Sequence, residues 1–188
     1  MTVAVRLRGV GRARALAALG VLAAGALAMG CSSEAVPMPD PSLLSALGTA
    51  QALQHRADEL EDMGEVDRAV VEARRVLDVP FPAGAAERED VRLDAHGRIA
   101  ELELARGGLE AADAALEAGL SEGTRDSYFH ARLGGGRGRV LRARAAALRA
   151  TGDEVGARAA SEAALVALEE SIAENQRVLA SMGVRADG

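Results

Sequence analysis

The sequence repeats one short pattern three times: GEVDRA at residues 64–69, GGLEAA at residues 107–112 and GDEVGA at residues 152–157. Each copy opens with a glycine and has an alanine five residues later, and the copies begin 43 and 45 residues apart. Glycine ends a helix readily because it adopts a positive φ at little cost, and a small residue lets two helices approach closely. The pattern therefore predicts three helix pairs, each turning at its glycine.

Helical periodicity extends over almost all of the chain between these turns. The predicted helices span residues 41–63, 65–77, 85–106, 109–120, 125–150 and 153–182. Asp40 and Pro41 suit the start of the first helix, and Pro80 and Pro82 prevent the second from continuing. Aromatic residues make up only 2% of the chain, so the core must be built from alanine and leucine. Such a core is typical of packed helices rather than of a β-sandwich.

The repeated helix pair resembles the tetratricopeptide repeat, in a variant with longer helices, over residues 41–183. The resemblance implies an all-α, right-handed solenoid of about three antiparallel helix pairs with a long C-terminal helix. An ordinary antiparallel bundle is the alternative. A bundle has no reason to repeat its turn chemistry, which favours the solenoid.

The N-terminal segment has the layout of a secretory signal. Residues 1–30 hold four arginines and no acid, and an apolar run over residues 15–29 leads to Cys31, the only cysteine. LAMGC at residues 27–31 resembles the lipobox of bacterial lipoproteins, which implies cleavage before Cys31 and acylation of Cys31, with palmitate among the expected chains. A transmembrane anchor is the alternative, but a span needs about 20 apolar residues and this run is shorter. Residues 31–40 are then a lipidated tether, and residues 184–188 are expected to be a disordered tail.

Location and charge limit the partners. Ser32 and Ser33 follow the cysteine without an aspartate, which by resemblance implies lipid anchoring in the outer membrane, facing the periplasm. Loss of residues 1–30 removes four of the 22 basic residues and none of the 28 acidic ones, leaving a formal charge of −10. Such a charge disfavours nucleic acid as a partner.

No catalytic, metal or cofactor site is predicted. His55, His96 and His130 are far apart in sequence, and the paired arrangement of a metal site is missing. His55 has Asp58 and Glu59 nearby, which is more typical of a surface ion pair. Because Cys31 is expected to be acylated, thiol chemistry is not expected either. The sequence therefore favours a protein that is not an enzyme.

The predicted functional surface is a groove. In tetratricopeptide folds the first helix of each pair lines the concave side, and the matching positions here are Gln51, Gln54, Asp58, Glu61, Asp62, Asp94, Arg98, Glu101, Arg139, Arg142 and Arg149. This groove would run from acidic to basic and could orient a protein segment. The alternative is that these charges only keep the helices soluble. Tyr128 and Phe129 are a possible partner hot spot, with packing against the second helix pair as the alternative.

Two local features carry structural predictions. LGGGRG at residues 133–138 predicts a break or hinge, because each glycine costs about 1 kcal/mol inside a helix relative to alanine. On the last helix an apolar stripe of Leu165, Leu168, Ile172 and Leu179 is expected to pack inwards. Glu174 lies off this stripe and is expected to face water.

The sequence as a whole predicts an outer-membrane lipoprotein that presents a helical-repeat domain as a scaffold for protein partners. The alternative is an accessory of peptidoglycan metabolism that binds the cell wall through its arginines.

Overall fold

The computed structural model describes residues 40–183, which lie in one compact unit. Residues 40–183 form no β-strand, and their α-helices are Pro41–Asp62 (α1), Val66–Arg75 (α2), Glu87–Ala105 (α3), Leu109–Glu122 (α4), Tyr128–Ala150 (α5) and Glu154–Ser181 (α6). A short 3-10 turn, Val76–Asp78, extends α2. The all-α prediction is confirmed, and every predicted helix boundary lies within three residues of the observed one.

Several predictions lie outside the described residues. These are the signal peptide over residues 1–30, acylation of Cys31, most of the tether over residues 31–40, and the tail over residues 184–188. Among the helices described, none is long and apolar enough to cross a membrane.

The three repeated turns share one backbone geometry. Gly64, Gly107 and Gly152 have φ values of +76°, +83° and +85°. After each glycine, the next amide donates a hydrogen bond to the carbonyl five residues earlier, in the pairs Glu65–Leu60 (2.8 Å), Gly108–Glu103 (2.8 Å) and Asp153–Leu148 (3.0 Å). This is the Schellman arrangement that closes a helix on a left-handed residue. The repeated glycine thus has a conformational cause.

Side-chain caps fix the starts of three helices. Asp40, Ser127 and Asp153 accept backbone amide hydrogen bonds at the first turns of α1, α5 and α6, at 2.8, 3.1 and 2.8 Å. Each cap satisfies an amide that the helix itself leaves unpaired.

Each helix packs on the next along the chain, and α5 and α6 make the most extensive contact. In addition, α3 contacts both α1 and α5. The repeated alanines Ala69, Ala112 and Ala157 are all fully buried. Since alanine has no further side-chain atoms, the helices approach closely at these points.

The prediction of a break at residues 133–138 is wrong, because α5 continues through this segment without interruption. The glycines lie where other side chains approach the α5 backbone. A Cβ atom on Gly136 would lie 2.9 Å from Cδ2 of Leu116, and one on Gly138 would lie 2.7 Å from Cγ of Leu168. Close packing therefore offsets the low helix propensity of glycine.

The predicted orientation of α6 is also wrong. Glu174 is buried, whereas Leu165, Leu168, Ile172 and Leu179 are exposed. The buried side of α6 consists of small residues and Glu174, namely Ala157, Ala160, Ala164, Ala167, Ser171 and Glu174. Small side chains allow α6 to lie against the glycines of α5, and leucines at the same positions would hold the helices apart. The leucine stripe consequently lies beside the α5 contact and is largely exposed, with Leu168 at its edge against Gly138.

Candidate functional site

One concave region collects side chains from α1, α3 and α5. It encloses about 380 Å³, and its lining residues are Gln54, His55, Asp58, Asp94, Arg98, Glu101 and Arg132. Five of the predicted groove residues are thus brought together, namely Gln54, Asp58, Asp94, Arg98 and Glu101. The cleft also includes His55 and Arg132, which the groove prediction omitted. The arrangement is a polar cleft across three successive helix pairs.

Arg98 joins the first two helix pairs at this cleft. Its guanidinium donates to Oδ1 of Asp58 at 2.6 Å and to Oε2 of Glu61 at 2.5 Å. Burial opposes the charged form of Arg98, but the hydrogen bonds to Glu61 and Asp58 outweigh that effect and raise its pKa. The predicted acidic residues of α1 therefore face a basic residue of α3.

The second and third helix pairs are joined in the same way. Asp94 accepts hydrogen bonds from Nε2 of Gln54 at 2.8 Å and from the guanidinium of Arg132. Glu101 accepts a hydrogen bond from Arg139 at 2.9 Å. Acids of one helix pair thus meet arginines of the following pair, so the predicted gradient from acidic to basic is largely neutralised inside the cleft.

The other two predicted arginines of α5 have different surroundings. Arg149 donates to Oγ of Ser161 at 2.9 Å. Arg142 lines a second concavity between α5 and α6, and within residues 40–183 it forms no ion pair. Arg142 and Arg149 therefore carry positive charges that no carboxylate within residues 40–183 balances.

Tyr128 and Phe129 form an edge-to-face pair at the start of α5, with ring centroids 5.4 Å apart. Phe129 packs against the core cluster around Leu93, Leu116 and Leu133, while Tyr128 is exposed. Phe129 thus has a structural role, and of the two rings only that of Tyr128 is accessible to a partner.

Sequence reasoning missed a cluster on the other side of α3. Arg92 forms a two-point ion pair with Glu122 of α4, at 2.6 Å (Nε to Oε2) and 2.7 Å (Nη2 to Oε1). Nε2 of the buried His96 lies 3.3 Å from the same carboxylate. The hydrogen bonds from Arg92 are the largest cause that lowers the pKa of Glu122. Because Arg92 and Glu122 are 30 residues apart, local sequence patterns gave no signal of the pair.

Two further buried carboxylates tie helices together. Glu103 is fully buried and pairs with Arg74 of α2 at 2.8 Å and with Arg106 at 2.5 Å. Oε1 of Glu174 lies 2.8 Å from Nδ1 of His130. This contact explains why Glu174, predicted to face water, turns towards α5.

The three histidines lie in separate surroundings, in the cleft, beside Glu122 and beside Glu174. Among the residues described, no group of three or more His, Cys, Asp or Glu side chains is placed to hold a metal ion.

Comparison of the chain with protein-family models gives no match, and comparisons with curated proteins and with solved structures give none either.

The Glu122 cluster predicts a pH-dependent stability. Since its folded pKa is lowered, ionised Glu122 favours the folded state above the ordinary glutamate pKa of about 4.3, and this contribution is lost as pH falls through the folded pKa. Glu122→Gln should lower the free energy of unfolding by about 0.5–1.5 kcal/mol at pH 7. The difference from wild type should shrink towards pH 3 in urea titrations. Glu117→Gln, on an exposed position of α4, is the control and should change little at any pH.

Proposed function

We propose that this chain is a lipid-anchored lipoprotein of the outer membrane that presents a tetratricopeptide-like, right-handed α-solenoid to the periplasm as a non-catalytic scaffold for protein partners. The anchor rests on the lipobox resemblance at residues 27–31 and on the single cysteine. The scaffold role rests on the described domain.

The packing order supports the solenoid. Each helix contacts its successor, while α1, α3 and α5 follow one another along one side. Three identical Schellman turns and three buried alanines give the helix pairs a common geometry. A repeated unit that stacks on its neighbours buries a continuous core in this way.

The observation that carries the scaffold role is the cleft of α1, α3 and α5. The first helix of every pair contributes polar side chains to it, including Asp58, Arg98 and Arg132. Groups already paired across the cleft hold its walls in position, so an extended segment or a helix of a partner would meet a preorganised surface. The exposed ends of these polar side chains would then select the partner by charge complementarity.

A test of the cleft needs a variant that blocks it without breaking its ion pairs. His55 is exposed and lines the cleft, so His55→Trp should fill part of the space. We expect partners that co-purify with the wild type from native membranes to be lost at least tenfold. Ala52→Trp, at an exposed position of α1 that does not line the cleft, should retain them. Equal retention by both variants would contradict the role of the cleft.

The alternative is binding to the cell wall. Arg142 and Arg149 of α5 could bind carboxylates of wall peptides, since no carboxylate within residues 40–183 pairs with them. Purified wall sacculi, incubated with wild type and with an Arg142→Glu/Arg149→Glu variant, separate the two functions. Retention on sacculi that the arginine variant loses and His55→Trp keeps would favour the wall.

The anchor has its own test. Metabolic labelling with a fatty-acid analogue should tag the wild type, and Cys31→Ser should abolish the label and release the protein from membranes, because acyl chains provide the membrane affinity. Labelling that survives the substitution would overturn the lipoprotein assignment, whatever the outcome at the cleft.

A further inference from the structure

The exposed side of α6 is strongly apolar. Leu165, Leu168, Ile172 and Leu179 are 61%, 39%, 58% and 45% exposed, and Met182 is 72% exposed. The terminal helix of a helical stack usually has a polar outer face, which keeps the end of the stack soluble. A contiguous row of exposed apolar side chains, as on α6, is typical of a site of association.

The spacing of these residues is that of a helix-pairing seam. Positions 165, 168, 172, 175, 179 and 182 alternate steps of three and four residues, which is the a and d pattern of a coiled coil. The seam is about 26 Å long at the helical rise of 1.5 Å per residue. Asn175 is its only polar member, and it is partly buried beside Ser171, whose carbonyl accepts from its amide at 3.1 Å. A polar amide within such a seam is a known means of fixing the register of paired helices.

The two flanks of the seam carry opposite charge. On the α5 side, Arg139 and Arg142 line a concavity of about 330 Å³ together with Leu165 and Leu168, in the space above Gly138. On the other flank are Glu162 and Glu169. Glu169 follows the seam residue Leu168 by one position, and Glu162 lies seven residues earlier on the same side of the helix. Within residues 40–183 neither glutamate forms an ion pair.

We propose that α6 pairs side by side with α6 of a second copy of this chain, in parallel orientation, to form a homodimer. A two-fold axis along the helices places Glu162 and Glu169 of each copy opposite Arg142 of the other, and opposite Arg139, which also pairs with Glu101 of its own chain. An antiparallel pair would instead bring the two glutamate flanks to one side and the two arginine flanks to the other, so that the glutamates would not meet the arginines. Charge complementarity therefore selects both the occupant, a second copy, and its direction.

In this arrangement every seam residue faces its own counterpart. The leucines and Ile172 of the two copies bury one another, and the two Asn175 amides meet in the middle of an apolar seam. This interaction involves α6 and the α5 arginines, not the cleft of α1, α3 and α5, so it stands independently of the proposed scaffold role.

The first experiment measures association in the full chain. Two copies with different tags are expressed together, and one tag is captured from detergent-solubilised membranes. Ile172→Glu should reduce co-capture of the second tag at least tenfold, because a charge would enter the seam. Val166→Glu is the matched control, since Val166 is 53% exposed on α6 but lies outside the seam, and it should retain co-capture. Unchanged helical circular dichroism in both variants shows that the fold is intact, and equal co-capture by both would overturn the dimer.

The second experiment measures direction by oxidative cross-linking in membranes. Leu165→Cys, Ile172→Cys and Leu179→Cys should each give a disulfide-linked dimer, while Val166→Cys and the wild type, whose only cysteine is Cys31, should give none. Cross-linking at only one of the three positions would indicate an antiparallel pair and overturn the parallel arrangement. No cross-link at any of them would overturn the homodimer.

Discussion

Leu133→Ala is expected to lower the free energy of unfolding by about 2–5 kcal/mol, measured by urea titration. Leu133 is buried where α3, α4 and α5 meet, in a cluster with Leu93, Leu116 and Val140. Its methyl groups lie over two glycines: a Cβ on Gly119 would be 2.7 Å from Cδ1 of Leu133, and one on Gly97 would be 3.5 Å from Cδ2. Because helix backbone bounds the resulting cavity on these sides, the cavity cannot collapse easily, which favours the upper half of the range.

The control for this variant is Leu44→Ala. Leu44 is half-exposed on α1, so the same chemical change should cost under about 1 kcal/mol.

A double variant tests the contact between Leu133 and Gly119 directly. Gly119→Ala should be more destabilising in the wild type than in the Leu133→Ala background, where the clash with Cδ1 is gone and the contact with Cβ of His96, at 2.9 Å, remains. Additive effects would mean that Leu133 does not occupy the space above Gly119.

Ala112→Leu is expected to destabilise the protein by about 1–3 kcal/mol through overpacking. Ala112 is the repeated alanine of the second helix pair; it is fully buried in the same cluster as Leu93 and Ala100. Leucine has nearly the helix propensity of alanine, so the effect measures space rather than helix formation. Thermal unfolding of the variant should show a clear downward shift in Tm.

Ala118→Leu is the matched substitution on an exposed position of the same helix. It should change the free energy of unfolding by under about 0.5 kcal/mol. Similar losses at Ala112 and Ala118 would argue against close packing of α3 and α4 at the repeated alanine.

The helices were predictable from local signals, because each boundary has a local cause. Asp40 caps α1, the positive φ of Gly64, Gly107 and Gly152 ends α1, α3 and α5, and Pro80 follows α2. The burial of the repeated alanine also followed from its fixed distance to the glycine. Periodicity and turn chemistry act over a few residues, and they are strong in this chain.

Tertiary packing determined what could not be predicted. Hydrophobicity alone predicts that the leucine stripe of α6 is buried, but the glycines of α5 favour small partners, so Ala164, Ala167 and Ser171 pack there. The same close approach keeps α5 helical through residues 134–138. A local propensity scale assigns glycine a cost and contains no term for the helix that packs against it.

The candidate site was predictable only in outline. Resemblance to a repeat family placed Gln54, Asp58 and Arg98 on one surface, where the structure also has them. The pairing of each acid with an arginine of the next helix pair was missed, because these partners are 37–40 residues apart in sequence. The charges of the individual helices predict a gradient from acidic to basic along the groove. In the folded domain, most of these charges are paired between helices.

The aromatic pair at the start of α5 makes this chain unusually convenient for spectroscopy. The sequence has one tyrosine and no tryptophan, so its intrinsic fluorescence comes from Tyr128 alone. The Tyr128 ring packs on the ring of Phe129, and Phe129 packs on the core. The emission of Tyr128 therefore reports on the junction of α4 and α5. Circular dichroism, in contrast, averages over all helices. Coincident transitions of the two signals would indicate cooperative unfolding, and an earlier change in emission would reveal local opening at this junction.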